Sequence, residues 1–203
     1  MSIWSWDGIV PVIDPAAFVH PDASVIGDVI VAAGVYVGPQ CVLRGDFGRI
    51  EIGQGANVQE TCVVHTFPNL GVIVEPSGHI GHGAVLHGCR IGRNAMVGMN
   101  AVVMDEAEVG ESSIVAAMAF VKAGARIPPR SLAVGSPARV IRELSDREID
   151  WKTRGTAVYQ RLAREARDRL APAEPLAAPE PGRRRVRAPD YDPLIAERPK
   201  LGD

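Results

Sequence analysis

The sequence predicts an all-β solenoid, a left-handed parallel β-helix of six-residue repeats with one α-helix at its C-terminal end. Three observations carry that expectation. An aliphatic residue returns at every sixth position, a small residue recurs four places after it, and glycine often follows it directly.

Taken in order, residues 1–12 are a lead-in without that period. They also lack the basic and apolar regions of a signal peptide. The repeat opens at Ile13 and runs through Val19, Val25, Val31, Val37 and Leu43. It resumes at Ile52, Val58 and Val64, then at Val74, Ile80 and Leu86. After one five-residue step it continues from Ile91 through Val97, Val103, Val109, Val115 and Val121 to Ile127. The small residues include Ala23, Cys41, Cys62, Ala84, Ala101 and Ala119. A period of six suits neither a helix nor a simple two-residue alternation. It suits short flat strands joined by tight corners, each anchor pointing inward. Pairs such as Ile52-Gly53 and Ile91-Gly92 give the corners backbone freedom. A β-sandwich would show irregular spacings of about 8–12 residues and could not hold one register for so long. The solenoid is assigned to residues 13–139.

Two tracts break the register, 44–50 and the stretch between Val64 and Val74. Insertions of this kind bulge from one face and often carry function. Past Arg139 the pattern changes. Ser145 and Glu148 form a capping box for a helical segment assigned to residues 140–170. Gly155 is its expected break, and Ile149, Trp151, Val158, Tyr159 and Leu162 its face toward the solenoid. Residues 171–203 form a Pro/Arg-rich tail, extended along a neighbour or disordered, with Arg183-Arg184-Arg185 as a solvated cluster.

Composition narrows the partners. Lys+Arg number 22 against 24 Asp+Glu, a near-neutral balance that argues against nucleic-acid and membrane partners. No apolar run approaches the ~20 residues needed to span a bilayer. Cys41, Cys62 and Cys89 are scattered without CxxC spacing, which fits three small buried thiols in a reducing cytoplasm.

Three of the five histidines gain meaning from the register. With three steps per coil, Leu43, Val64 and Leu86 share one face, so Arg44, His65 and His87 stack in one column. His65 and His87 then lie one coil apart, ~4.8 Å, close enough to share a metal. His82 follows Ile80 on another face, and a parallel trimer would bring it against the pair from a neighbour. Three imidazoles leave a coordination position open, the pattern of catalytic zinc. On position alone, ordinary surface histidines remain the competing reading.

Arg44-Gly45-Asp46, Asn57-Val58-Gln59-Glu60, His65, Ile80-Gly81-His82 and Leu86-His87-Gly88-Cys89 resemble the γ-class carbonic anhydrase family. Within it the chain looks like the PaaY branch, associated with phenylacetic acid degradation, through Gly8-Ile9-Val10-Pro11-Val12, residues 43–50, residues 97–105 and Gly135-Ser136-Pro137-Ala138. The resemblance implies His65, His82 and His87 as ligands of zinc, with iron or cobalt as alternatives. It implies that Gln59 orients the metal-bound water and that Tyr159 lines the site, with Arg44, Asp46 and Glu60 as ion pairs at the interface of a homotrimer. Glu60 departs from the family's usual Asp. His20 and His79 match no family ligand.

The chemistry implied is attack of a metal-bound hydroxide on a carbonyl, with Arg44 or Gln59 stabilising the oxyanion. Efficient anhydrases of the class carry proton-transferring glutamates, one of which corresponds to Phe47. The loop Phe67-Pro68-Asn69-Leu70 offers no carboxylate either. The expectation is therefore a hydrolase of CoA thioesters in phenylacetate catabolism. Hydration of carbon dioxide to bicarbonate, or a non-catalytic metal-holding accessory, are the alternatives. A hexapeptide acyltransferase is disfavoured, because its catalytic histidine need not come with two partner ligands.

Overall fold

Each six-residue step folds into a strand of two or three residues and a tight corner, and three steps complete a coil. The computed structural model describes residues 2–186 and 191–196. Anchors three steps apart pair in parallel. Leu43, Val64, Leu86, Val103 and Val121 stack on a first face. Ile52, Val74, Ile91, Val109 and Ile127 stack on a second. The third carries Val19, Val37, Val58, Ile80, Val97 and Val115. All are buried in one column, with Ala23, Cys41, Cys62, Ala84, Ala101 and Ala119 filling the corner before the first face. No aromatic ring enters that column. Six-residue sides enclose too narrow a core for rings, and this accounts for an aromatic content of only 5 %. The architecture is the left-handed β-helix that the period predicts.

Two long strands, Ser24–Val31 and Val42–Ile52, run around the corner between the first two faces and join them into one sheet. In their pairing Gly27 meets Gly45 and Val29 meets Ile50. Residues 46–49 are thus extra against the single residue Asp28, and they bulge outward. At the start of the chain, Ser2–Trp4 pairs with Ser24, Val25 and Ile26, so part of the lead-in extends the first face.

At the other end, Ser131–Val134 is the last parallel strand, and Arg139–Glu143 folds back on it antiparallel. The helical segment was expected from residue 140. Val140 and Ile141 are β-branched and favour the strand, so the helix starts later. Helix α1 (Asp146–Arg169) begins at the predicted capping box, Ser145 accepting from the Glu148 N–H. It runs through Gly155 without a break. That glycine is needed for packing, since a Cβ there would lie 2.5 Å from the Tyr191 hydroxyl.

The contact face of α1 also differs from the expected apolar stripe. Lys152, Gly155, Thr156 and Ala163 are its buried residues, while Leu162 is exposed. Lys152 Nζ donates to Ser77 O and to Asn94 Oδ1, both at 2.8 Å. Gln160 Nε2 likewise donates to Gly55 O at 3.0 Å, so polar side chains of the helix dock on corner carbonyls of the solenoid. Residues 171–186 are exposed and form neither helix nor strand, and the remainder of the predicted tail at 187–190 and 197–203 lies outside the described residues.

Candidate metal centre

His65 and His87 end the strands Val63–His65 and Val85–His87, and the register pairs them directly. His65 Nδ1 faces His87 Nε2 at 3.2 Å. The outer nitrogens are held by carboxylates, His65 Nε2 by Asp46 Oδ1 at 3.1 Å and His87 Nδ1 by Asp105 Oδ1 at 2.6 Å. An ionised carboxylate only accepts, so each takes the single N–H of a neutral imidazole. With both rings neutral, the two nitrogens that face each other would both be bare lone pairs. They repel unless a cation lies between them. Two nitrogens bound tetrahedrally at ~2.0–2.1 Å stand about 3.3–3.4 Å apart, so the pair fits a common metal.

Asp46 also accepts from Arg44 Nη1 at 2.7 Å. Burial pushes its carboxyl up, but the hydrogen bonds from Arg44 and His65 outweigh burial and hold it below the usual carboxylate range. Burial lowers His65, Asp46 partly opposing, which favours the neutral form a metal requires.

The two insertions roof this pair. The Phe47 ring lies 5.3 Å from His65, and Phe67 meets His87 edge-on at 5.5 Å. The Asn69 N–H donates to Phe47 O at 3.3 Å, and the Leu70 carbonyl rests on Gly48, where a Cβ would clash with it.

His82 sits on the third face, just past His79–Ile80. Its Nδ1 lies 2.5 Å from Glu60 Oε2, and Glu60 Oε1 accepts from the Tyr36 hydroxyl at 3.1 Å. It too is oriented by a carboxylate, and about half of its side chain is exposed. Within one chain it does not join the pair, and no group of three ligands forms among the described residues. Within one chain Glu60 contacts His82 and Tyr36, separately from the Arg44–Asp46 pair.

Gln59 is buried on the third face, its Nε2 donating to Asn57 Oδ1 at 2.9 Å and lying 2.7 Å from His79 Nε2. Tyr159 of α1 packs against Tyr36 and His79, and burial raises its hydroxyl to about 12. Gln59, His79, His82, Met99, Trp151 and Tyr159 line a cavity of about 400 Å³ between α1 and the third face. The predicted residues thus fall into two half-sites on different faces. His20 stays apart, its Nδ1 accepting from the Asp22 N–H at 3.1 Å. Sequence reasoning missed Asp105 and Thr156. Asp105 had a signal, since it lies one coil beyond His87.

Comparison with known proteins places this architecture. A model of the bacterial transferase hexapeptide (six repeats) matches residues 88–123. Over 198 residues the chain is 52 % identical to the carnitine operon protein CaiE of Salmonella agona, covering 97 % of this chain and all of that one. The chain belongs to the CaiE family. Among solved structures, a putative acetyltransferase from Bacillus cereus is 33 % identical, with a TM-score of 0.81 over 82 % of this chain and 97 % of that one. A hexapeptide transferase family protein from Anaplasma phagocytophilum is 34 % identical, with a TM-score of 0.78 over 83 % and 98 %.

The CaiE match corrects the sequence reading. A full-length relative more than half identical carries the name of the carnitine operon, so placement in the PaaY branch and the phenylacetate thioesterase function are overturned. The stretches behind that reading, Gly8-Ile9-Val10-Pro11-Val12, residues 43–50, residues 97–105 and Gly135-Ser136-Pro137-Ala138, do not separate branches that share them. No helix among the described residues is long and apolar enough to cross a membrane.

Proposed function

We propose that this CaiE-family chain is a metal-dependent enzyme acting on a small carbonyl compound of carnitine metabolism. The metal is held by His65 and His87 of one copy and His82 of a second, in a homotrimer. The observation that carries this reading is His65 Nδ1 facing His87 Nε2 at 3.2 Å while a carboxylate holds the outer nitrogen of each ring. Three carboxylates, Asp46, Glu60 and Asp105, each fix one histidine in the tautomer a ligand needs, and such partners raise ligand basicity.

A divalent ion such as zinc, iron or cobalt supplies Lewis acidity toward a carbonyl and lowers the pKa of water. The chain's own residues do the rest. Phe47 and Phe67 keep bulk water from the histidine pair, and Arg44 holds Asp46 ionised. The organic part of a substrate is served by the cavity beside His82, with its Met99 and Trp151 walls. Relatives named as transferases support chemistry at an acyl carbonyl. Carbon dioxide is the alternative carbonyl substrate. Neither Phe47 nor the 67–70 loop offers a carboxylate to export its proton, which favours an organic one.

The test is metal content by elemental analysis, followed by turnover of small carbonyl substrates, carnitine esters and carbon dioxide among them, with and without chelator. Chelation should abolish activity, and His65→Ala, His82→Ala and His87→Ala should each lose metal. Full activity in metal-stripped protein overturns the proposal.

A further inference from the structure

Beneath the cavity wall lies a buried polar cluster that the aliphatic column does not require: Asn57, Gln59 and His79 of the third face and Thr156 of α1. Its proton arrangement can be worked out. His79 has a side-chain amide nitrogen near each ring nitrogen, Gln59 Nε2 at 2.7 Å from Nε2 and Asn57 Nδ2 at 3.3 Å from Nδ1. A neutral imidazole has one acceptor, so it serves only one of them. The shorter contact assigns the lone pair to Nε2. The proton is then on Nδ1, where Thr156 Oγ1 stands at 3.2 Å to accept it.

This fixes Gln59 in turn. Both N–H groups of its amide are used, one on Asn57 Oδ1 and one on His79 Nε2. Among the described residues no buried side-chain oxygen lacks a partner, whereas the Gln59 amide oxygen meets none, and Gln59 lines the cavity. Its carbonyl oxygen is therefore the atom that reaches the cavity.

We infer that His79, clamped by Thr156, is a positioning residue that turns the Gln59 amide oxygen-outward beside His82, selecting a ligand that donates a hydrogen bond there, a hydroxyl or a water. With the opposite orientation Gln59 would present N–H groups, the arrangement an oxyanion needs. The oxyanion role expected for Gln59 from the sequence is thus incompatible with the amide orientation this network sets. Helix α1 becomes part of the site through Thr156, although Thr156 does not itself line the cavity.

The effect on turnover rests on the metal-dependent reading, whereas the tautomer does not, so the two are tested apart. In metal-free, ¹⁵N-labelled full-length protein, long-range proton–nitrogen correlation should show His79 protonated at Nδ1. Thr156→Val keeps the shape and removes the acceptor. It should move the proton to Nε2, shift the Gln59 side-chain amide signals, and lower kcat about tenfold with KM little changed, while Thr156→Ser restores all three. An Nε2–H ring in the wild type, or a tautomer unmoved by Thr156→Val, overturns the inference. A switched tautomer with unchanged kcat overturns the positioning role. Should Thr156→Val fail to fold, the wild-type tautomer decides.

Discussion

Asp105 only accepts, at 2.6 Å from His87 Nδ1, and so decides which nitrogen of His87 is free. Replacing it by Asn leaves a group that can offer N–H as readily as oxygen, and the ring loses its fixed tautomer. Asp105→Asn should weaken metal binding by about 10–100-fold, measured by competition with a chelator. Unchanged affinity would mean that His87 is not a ligand. His79 makes a second residue-scale case. Burial takes its pKa from 6.5 to about 3 in the folded chain. Above pH 6.5 the ring is neutral in both states and contributes no pH dependence. Below it the unfolded chain gains a proton that the native chain refuses, so stability falls as acid is added. The slope is about 1.4 kcal/mol per pH unit until pH nears 3. His79→Gln should flatten the fall, seen as urea midpoints that converge with the wild type at acid pH. The sequence showed the His65–His87 column because period and register place it. It did not show the His79–Thr156 contact, which joins residues 77 apart across an interface without periodicity.

At the scale of elements, the six-residue period made every coil legible, because each anchor must point inward whatever surrounds it. Docked pieces were harder to read. The helix was expected to break at Gly155 and to bury Leu162, but its contact face combines Tyr159 and Ala163, packed against Phe18 and Tyr36, with Lys152 and Thr156 meeting polar groups. An apolar-stripe argument finds Tyr159 but misses the polar half of that face. The insertions fell between these cases, their position legible and their mutual packing not. Gly48 is where they touch, and a side chain there collides with the Leu70 carbonyl. Gly48→Ala should cost about 1–3 kcal/mol in thermal or chemical unfolding. It should also displace Phe47 and Phe67 from the histidines, visible as faster metal loss to chelator. Retained stability and metal lifetime would show that the loops separate without consequence. At the helix start, Ser145→Ala removes half of the capping box and should cost about 1 kcal/mol.

The whole molecule is a rod whose two half-sites lie on different faces of one chain, His65 with His87 on one and His82 on another. No bending of a stacked β-helix brings them together, because every coil is pinned to its neighbours by parallel pairing. The proposed three-histidine site would therefore require a second copy, and cyclic three-fold packing would supply one site per interface. This can be decided by mixing defects. His82→Ala keeps His65 and His87 intact, and His65→Ala keeps His82 intact. Each variant alone should lose its metal, since every site in a uniform trimer lacks a ligand. Co-expressed in equal amounts and assembling at random, they form an interface with all three native histidines only when a His82→Ala chain supplies the pair and a His65→Ala chain supplies the third. The chance is one half for each chain, so mixed protein should hold about a quarter of the wild-type metal, with chelator-sensitive turnover rising in proportion. A site confined to one chain would gain nothing from mixing, because both variants would still be broken. Metal content no higher in the mixture than in either variant, with light scattering showing trimers, would therefore remove His82 from the site and leave the His65–His87 pair as its only imidazole ligands.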